Sequence, residues 1–125
     1  MKIRPLKAED FNSIVDMLIR HNIEPPAEIS DLGGLCMVAE RDGEIVGCIH
    51  ALIGNCTKAY LDYYVFEDKM TGFKLLQHME VALRFAGIKR FDFHVEKYNT
   101  AFERLAEKYG CARLRDLTWF RKEVG

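Results

Sequence analysis

Asn99 is a polar side chain at the carboxyl end of a short alternating segment, a position where open α/β sheets bind ligands. It could equally do no more than shape the turn from strand to helix. A second feature is the polar loop Glu67-Asp68-Lys69-Met70-Thr71-Gly72, which precedes a helical pattern through Leu75. A helix amino terminus offers free amides, and its dipole favours an anion such as phosphate. Lys69 and Lys74 would add positive charge there. The alternative is a plain solvated helix start. His50 and His94 fall on neighbouring strand patterns and could relay protons, or could be partly buried structural residues. Cys36, Cys48, Cys56 and Cys111 are scattered without a CxxC pair, as expected of single thiols in a reducing cytosol. No His or Cys pair has ligand spacing within one element, so no metal site is expected.

These groups depend on the elements that hold them. Phe91, Phe93 and Val95 alternate with Asp92 and His94, the period of a strand. From Thr100 the spacing turns helical, with Phe102, Leu105, Ala106 and Tyr109 on one face. Thr100 and Glu103 have the spacing of a capping box, and Gly110 suits the left-handed end of that helix. Upstream, residues 2–6 read as a strand, and Asp10 as the cap of a helix with Phe11, Ile14, Val15, Leu18 and Ile19 on its apolar face. Pro25-Pro26 and Gly33-Gly34 break the pattern over residues 22–34, with room for one short helical turn. Two apolar runs then flank Asp42-Gly43, a hairpin signal. Residues 58–66 form another strand pattern, and Leu75, Leu76, Met79, Ala82, Leu83 and Ala86 a helix face ended by Gly87. Residues 113–124 predict one or two final strands. The order is β-α-loop-β-β-β-α-β-α-β.

A length of 125 residues supports one domain, residues 1–125, with one core. With 49% hydrophobic and 30% charged residues the composition is that of a soluble globular protein. A formal net charge of −1 gives no global field for nucleic acid or an anionic membrane, so neither is expected as a partner. No apolar run is long enough to span a bilayer, and MKIRPLKAEDF lacks a signal-peptide core, so a cytoplasmic location is expected.

The run Leu105-Ala106-Glu107-Lys108-Tyr109-Gly110-Cys111, preceded by Asn99, resembles the closing segment of the GNAT N-acetyltransferase superfamily. There a strand is followed by Asn and then by a helix reading Leu-Tyr-Glu-Lys-x-Gly-Phe. The phrase Val38-Ala39-Glu40-Arg41-Asp42-Gly43-Glu44-Ile45-Val46-Gly47 resembles the family's second and third strands, and Leu75-Leu76 through Gly87 the helix after its cofactor loop. In this order the resemblance covers nearly the whole chain. It implies an α/β (α+β) fold, with a mixed, mostly antiparallel central sheet flanked by helices, and acetyl-CoA (coenzyme A) as cofactor. It also implies that backbone at Tyr64, Val65 and Phe66 grips the pantetheine arm, with Asn99 and Phe102 on the same arm. Lys69, Thr71, Gly72, Phe73 and Lys74 would hold the diphosphate. The family signature there, Gln/Arg-x-x-Gly-x-Gly/Ala, can be read as Lys69-x-x-Gly72-x-Lys74, or with Gly72 as the last glycine and a loop about three residues shorter. The second register keeps the spacing from Leu75 to Gly87.

In the same resemblance, Asp62 on the strand before that loop takes the place of the family's acid and would be the general base, or a strand acid facing solvent. Ala106 stands where the family has the Tyr that protonates the leaving thiolate, which leaves Tyr109, one turn on, or Tyr98 at the strand end. The function implied is acetyl transfer to an amine of a small molecule or protein by direct attack on the thioester. The short loop and Ala106 favour the alternative, a GNAT-fold module that binds CoA or a protein without turnover. Apolar positions at Leu114, Leu117, Trp119 and Phe120 are compatible with a homodimer edge.

Overall fold

The computed structural model describes residues 1–55, 57–95, 99–114 and 120–124. Its elements, in chain order, are β1 (Lys2–Pro5), α1 (Phe11–Arg20), β2 (Leu35–Arg41), β3 (Glu44–Asn55), β4 (Lys58–Phe66), α2 (Lys69–Phe85), β5 (Arg90–Phe93) and α3 (Thr100–Lys108). The strands lie side by side in sequence order. β1 to β4 are antiparallel and β5 runs parallel to β4, so the α2 connection is a crossover. This is the mixed, mostly antiparallel sheet flanked by helices that the resemblance implied.

Local residue chemistry accounts for the turns. Asp42 and Gly43 have φ of 53° and 82°, the two left-handed residues that a type I′ hairpin requires. Gly87 and Gly110, at φ 80° and 91°, follow α2 and α3. The short turn within residues 22–34 is a 3₁₀ turn at Ile29–Leu32. Asp10 does not cap α1 with its side chain. Its carboxylate instead takes the Arg4 guanidinium at 2.8 and 2.9 Å and the Lys7 amide at 2.8 Å, because a doubly paired charge outcompetes one exposed amide. β5 stops at Phe93, leaving Val95 outside it, and Asn99 rather than Thr100 caps α3. Of the predicted final strands, residues 113–114 and 120–124 are not in a strand, and residues 115–119 lie outside those described.

Each face of the sheet has its own core. Ile14, Met17 and Leu18 of α1 bury against Val38, Cys48 and Val65. On the other face, Leu75, Leu76 and Met79 of α2 and Leu105 of α3 cover Ile49, Leu61 and Tyr64. Adjacent residues such as Cys48 and Ile49 serve opposite cores, as strand alternation demands. α2 reaches the sheet closely because Gly47 lies under it. A Cβ on Gly47 would sit 2.9 Å from both Leu75 Cδ1 and Thr71 Cγ2. Among the described residues no helix is long and apolar enough to cross a membrane.

Candidate functional site

β4 is where the sheet opens. It pairs with β5 only from Lys58 to Leu61, matched to Arg90 through Phe93. From Asp62 to Phe66, β4 has no strand partner on that side among the described residues, while its other edge stays on β3. The β3 pairing itself shifts here. Tyr63 faces His50 and Leu61 faces Ala51, so Asp62 is an extra residue, a bulge. A bulge bends the strand and re-aims a side chain.

The re-aimed side chain meets a buried histidine. His50 is fully buried, with Nδ1 2.6 Å from Asp62 Oδ1 and Nε2 2.8 Å from the Gly33 carbonyl oxygen. A carbonyl can only accept, so Nε2 carries a hydrogen. With Asp62 ionised, Nδ1 must also donate, and the ring is an imidazolium. Burial pulls the His50 pKa down, but the Asp62 carboxylate and the Gly33 carbonyl outweigh it and leave it raised. Tyr63, beside His50, is pushed up by burial and then by the Asp62 charge. The couple thus joins β3, β4 and the Gly33 turn at one point. His94 is not part of it: its Nδ1 contacts the Tyr60 hydroxyl instead.

The expected polar loop before α2 does not exist as a loop. β4 ends at Phe66 and α2 starts at Lys69, so Lys69, Thr71, Gly72, Phe73 and Lys74 all lie in the helix. Asp68 is its N-cap. One carboxylate oxygen accepts the Thr71 amide at 2.9 Å, and the other takes the Thr71 hydroxyl and Arg41, each at 3.0 Å. The Thr71 amide, and beyond it Arg41, hold the Asp68 carboxyl below its ordinary pKa. Glu67 binds Arg20 at 2.7 Å and His21 at 3.5 Å. Thr71 is fully buried, and a Cβ on Gly72 would lie 2.8 Å from the Phe66 ring. Gly72 is therefore small for packing on β4. Lys69 and Lys74 are exposed.

Around the open part of β4, Phe102 of α3 packs on Tyr64, Phe66 and Phe93 at centroid distances of 5.2 to 6.0 Å. The Tyr64 hydroxyl donates to the Gly72 carbonyl at 2.5 Å. Asn99 accepts the Phe102 amide at 3.2 Å, so its oxygen already serves as the α3 cap. Tyr109 donates to Glu80 at 2.7 Å and stacks edge-on against Phe73. Burial and the Glu80 carboxylate push its phenol pKa up. Asp62 and Tyr109 sit on different faces: Asp62 meets His50 on the α1 side, and Tyr109 packs with the α2 core. Tyr98 lies outside the described residues. Burial raises the thiols of Cys36, Cys48 and Cys111, Cys36 to about 12, which makes them poor nucleophiles. Cys56 lies outside the described residues.

Three participants escaped sequence reasoning. Gly33 contributes a carbonyl, which no side-chain pattern signals. Arg41 reaches Asp68 across 27 residues. Asp68 itself was legible as Asp-x-x-Thr, an N-cap spacing with Thr71.

A family model for the acetyltransferase (GNAT) family matches residues 5–111. No curated protein matches the chain in sequence. Solved structures match over nearly all of it. TTHA1254 from Thermus thermophilus superposes with a TM-score of 0.77 at 20% identity, covering 100% of this chain and 98% of its own. The ribosomal-protein-S18-alanine N-acetyltransferase from Escherichia coli gives a TM-score of 0.75 at 19% identity, covering 87% of this chain and 76% of its own. The aminoglycoside N-acetyltransferase AAC(6')-Iy in complex with CoA gives 0.78 at 12% identity, covering 98% of this chain and 100% of its own. At such identities the likeness establishes the fold.

Proposed function

The chain belongs to the GNAT acetyltransferase family, and from that membership we propose that it is an N-acetyltransferase, using acetyl-CoA or a related acetyl thioester on an amine of a small molecule or protein. The observation that carries this reading is the fork in the sheet after Leu61, with the bulged Asp62 beside it. The pantetheine end of such a donor fits. It is an amide-bearing arm, and the β4 backbone from Tyr64 to Phe66 is free of a strand partner on one side among the described residues. Asn99 and Phe102 flank the same opening from α3. The diphosphate end does not fit: the Asp68 carboxylate already occupies the amino terminus of α2.

The donor supplies an activated acetyl group; the chain's own residues handle protons and position. His50 fixes one Asp62 oxygen, which leaves the other to accept the proton of an incoming ammonium, directly or through a water. His50 is thus a positioning residue. Tyr64 donates to Gly72 and Tyr109 to Glu80, so neither of these two phenols is free for the departing sulfur, and solvent can protonate it. Ala106, partly buried on α3, cannot help. That same commitment of Tyr109 favours a second reading, a thioester-binding or protein-binding member without turnover. Release of thiol from acetyl-CoA and from S-acetylpantetheine against a panel of amines tests the first reading. Thioester binding without release for any amine would favour the second, and no thioester binding at millimolar concentration would sink both donor-dependent readings.

A further inference from the structure

The turn that joins β4 to α2 consists of Glu67 and Asp68 alone. Two residues are too few to wrap a diphosphate, and both are acidic. Several contacts that a phosphate would seek at this helix end are taken by the chain itself, the Thr71 amide and hydroxyl by the Asp68 carboxylate and the Gly72 amide by the Asp68 carbonyl. Asp68 accepts the Thr71 amide and hydroxyl at 2.9 and 3.0 Å, and Arg41 neutralises it at 3.0 Å. Glu67 takes the Arg20 guanidinium and lies 3.5 Å from His21, both at the adjoining end of α1. The helix dipole is thereby satisfied by an anion that cannot diffuse away. Gly72 faces the Phe66 ring, so its small size brings no ligand closer to the backbone.

We propose that Asp68 closes the amino terminus of α2 to a diphosphate, so that the chain recognises its acyl donor through the pantetheine arm alone. The substrate class is then acyl-pantetheine thioesters, whatever group they carry at the distal end. This rests on the donor reading above for the arm, but the closure of the helix end stands on its own contacts.

Two measurements test it. In the first, ADP is titrated into the native protein and into Asp68→Asn while the Thr71 and Gly72 amide resonances are followed. Asn retains a capping oxygen and removes the charge. The native amides should stay in place at millimolar ADP, and Asp68→Asn should bind at least roughly tenfold more tightly. Asp68→Ser serves as a second variant should the first not fold. Movement of the native amides, or no gain in either folded variant, overturns the proposal. In the second, calorimetry compares acetyl-CoA with S-acetylpantetheine on the native protein. Affinities within about threefold support the proposal, and a CoA preference beyond about tenfold overturns it. If neither thioester binds, the acetyl-transfer reading fails while the ADP titration still decides whether Asp68 closes the helix end.

Discussion

Two carboxylate–cation pairs sit at opposite ends of the open stretch of β4, and their surroundings differ. At Asp62 the cation is a fully buried imidazolium, and the carboxylate side chain keeps 21% of its exposure. At Asp68 both partners are near 40% exposed, and the carboxylate turns inward onto its own helix. In the first pair one carboxylate oxygen meets the histidine and the side chain stays partly exposed; in the second both oxygens are taken, by Thr71 and Arg41. Charge type is the same in both. Burial of the cation and the partners of the carboxylate oxygens separate the proposed base from a helix cap.

Breaking the buried pair should have the largest effect. Asp62→Ala strands His50 beside a single carbonyl, and denaturant unfolding should show a loss of about 2–3 kcal/mol. That lies below the usual cost of breaking a buried pair, because Asp62 is partly solvated and His50 can release its proton. If turnover is present, it should fall about 100-fold in the same variant. Wild-type stability and turnover in Asp62→Ala would make the two pairs equivalent and remove the contrast.

Next in size is the packing that carries α2 over β4. Gly47→Ala places a methyl 2.9 Å from Leu75 and Thr71 side chains and 3.1 Å from the Val65 carbonyl oxygen. A loss of about 1–3 kcal/mol is expected from thermal melts. An unchanged midpoint would mean that α2 does not press on the sheet there.

The two pairs should also titrate in opposite senses. His50 has a pKa raised above its unfolded value of 6.5, so its contribution is complete below that pH and fades as pH rises through the folded value. Asp68 and Glu67 have lowered pKa values, so theirs is present above the ordinary carboxylate range and is lost as pH falls through the folded values. Urea midpoints of wild type relative to Asp62→Asn should therefore converge as pH rises above about 6.5 and through the raised His50 value. Those relative to Asp68→Asn should converge on the acid side. Parallel pH profiles for the two variants would contradict the comparison. The smallest effect is on stability in Asp68→Asn at neutral pH, under about 1 kcal/mol, because the cap survives and the ion pair with Arg41 is exposed. A larger loss in unfolding experiments would give Asp68 a structural weight that its exposure does not suggest.

Much of the frame was readable from local residues. Asp42-Gly43 announced a hairpin because few other dipeptides accept two left-handed residues in a row. The apolar spacing of Ile14, Leu18, Leu75, Leu76 and Met79 announced two helices whose faces bury. The start of α2 was missed because the family resemblance suggested a loop there, although Asp68 and Thr71 spelled a cap. Asn99 shows the converse. Its place at the head of α3 was legible, yet Thr100 carried the better capping pattern, and only the turn geometry selected Asn99 as the cap. At the other end of the chain, Asp10 sat at the right position to cap α1 but was claimed by Arg4.

By itself, then, the sequence determined most of the strands and helices from Lys2 to Lys108, their order and the hairpin turn, but not the start of α2 or the end of the chain. These depend on φ preferences and on periodicities of two or 3.6 residues, which are properties of short windows. Tertiary structure alone decided what the charged groups do. Asp62 finds His50 only because β3 and β4 slip by one residue, and His50 holds a second hydrogen only because the Gly33 carbonyl arrives from a distant turn. Arg41 and Asp68 meet only when β2 and α2 pack on the same sheet. Electrostatic roles depend on burial and on partners far apart in sequence, and both exist only once the chain has folded.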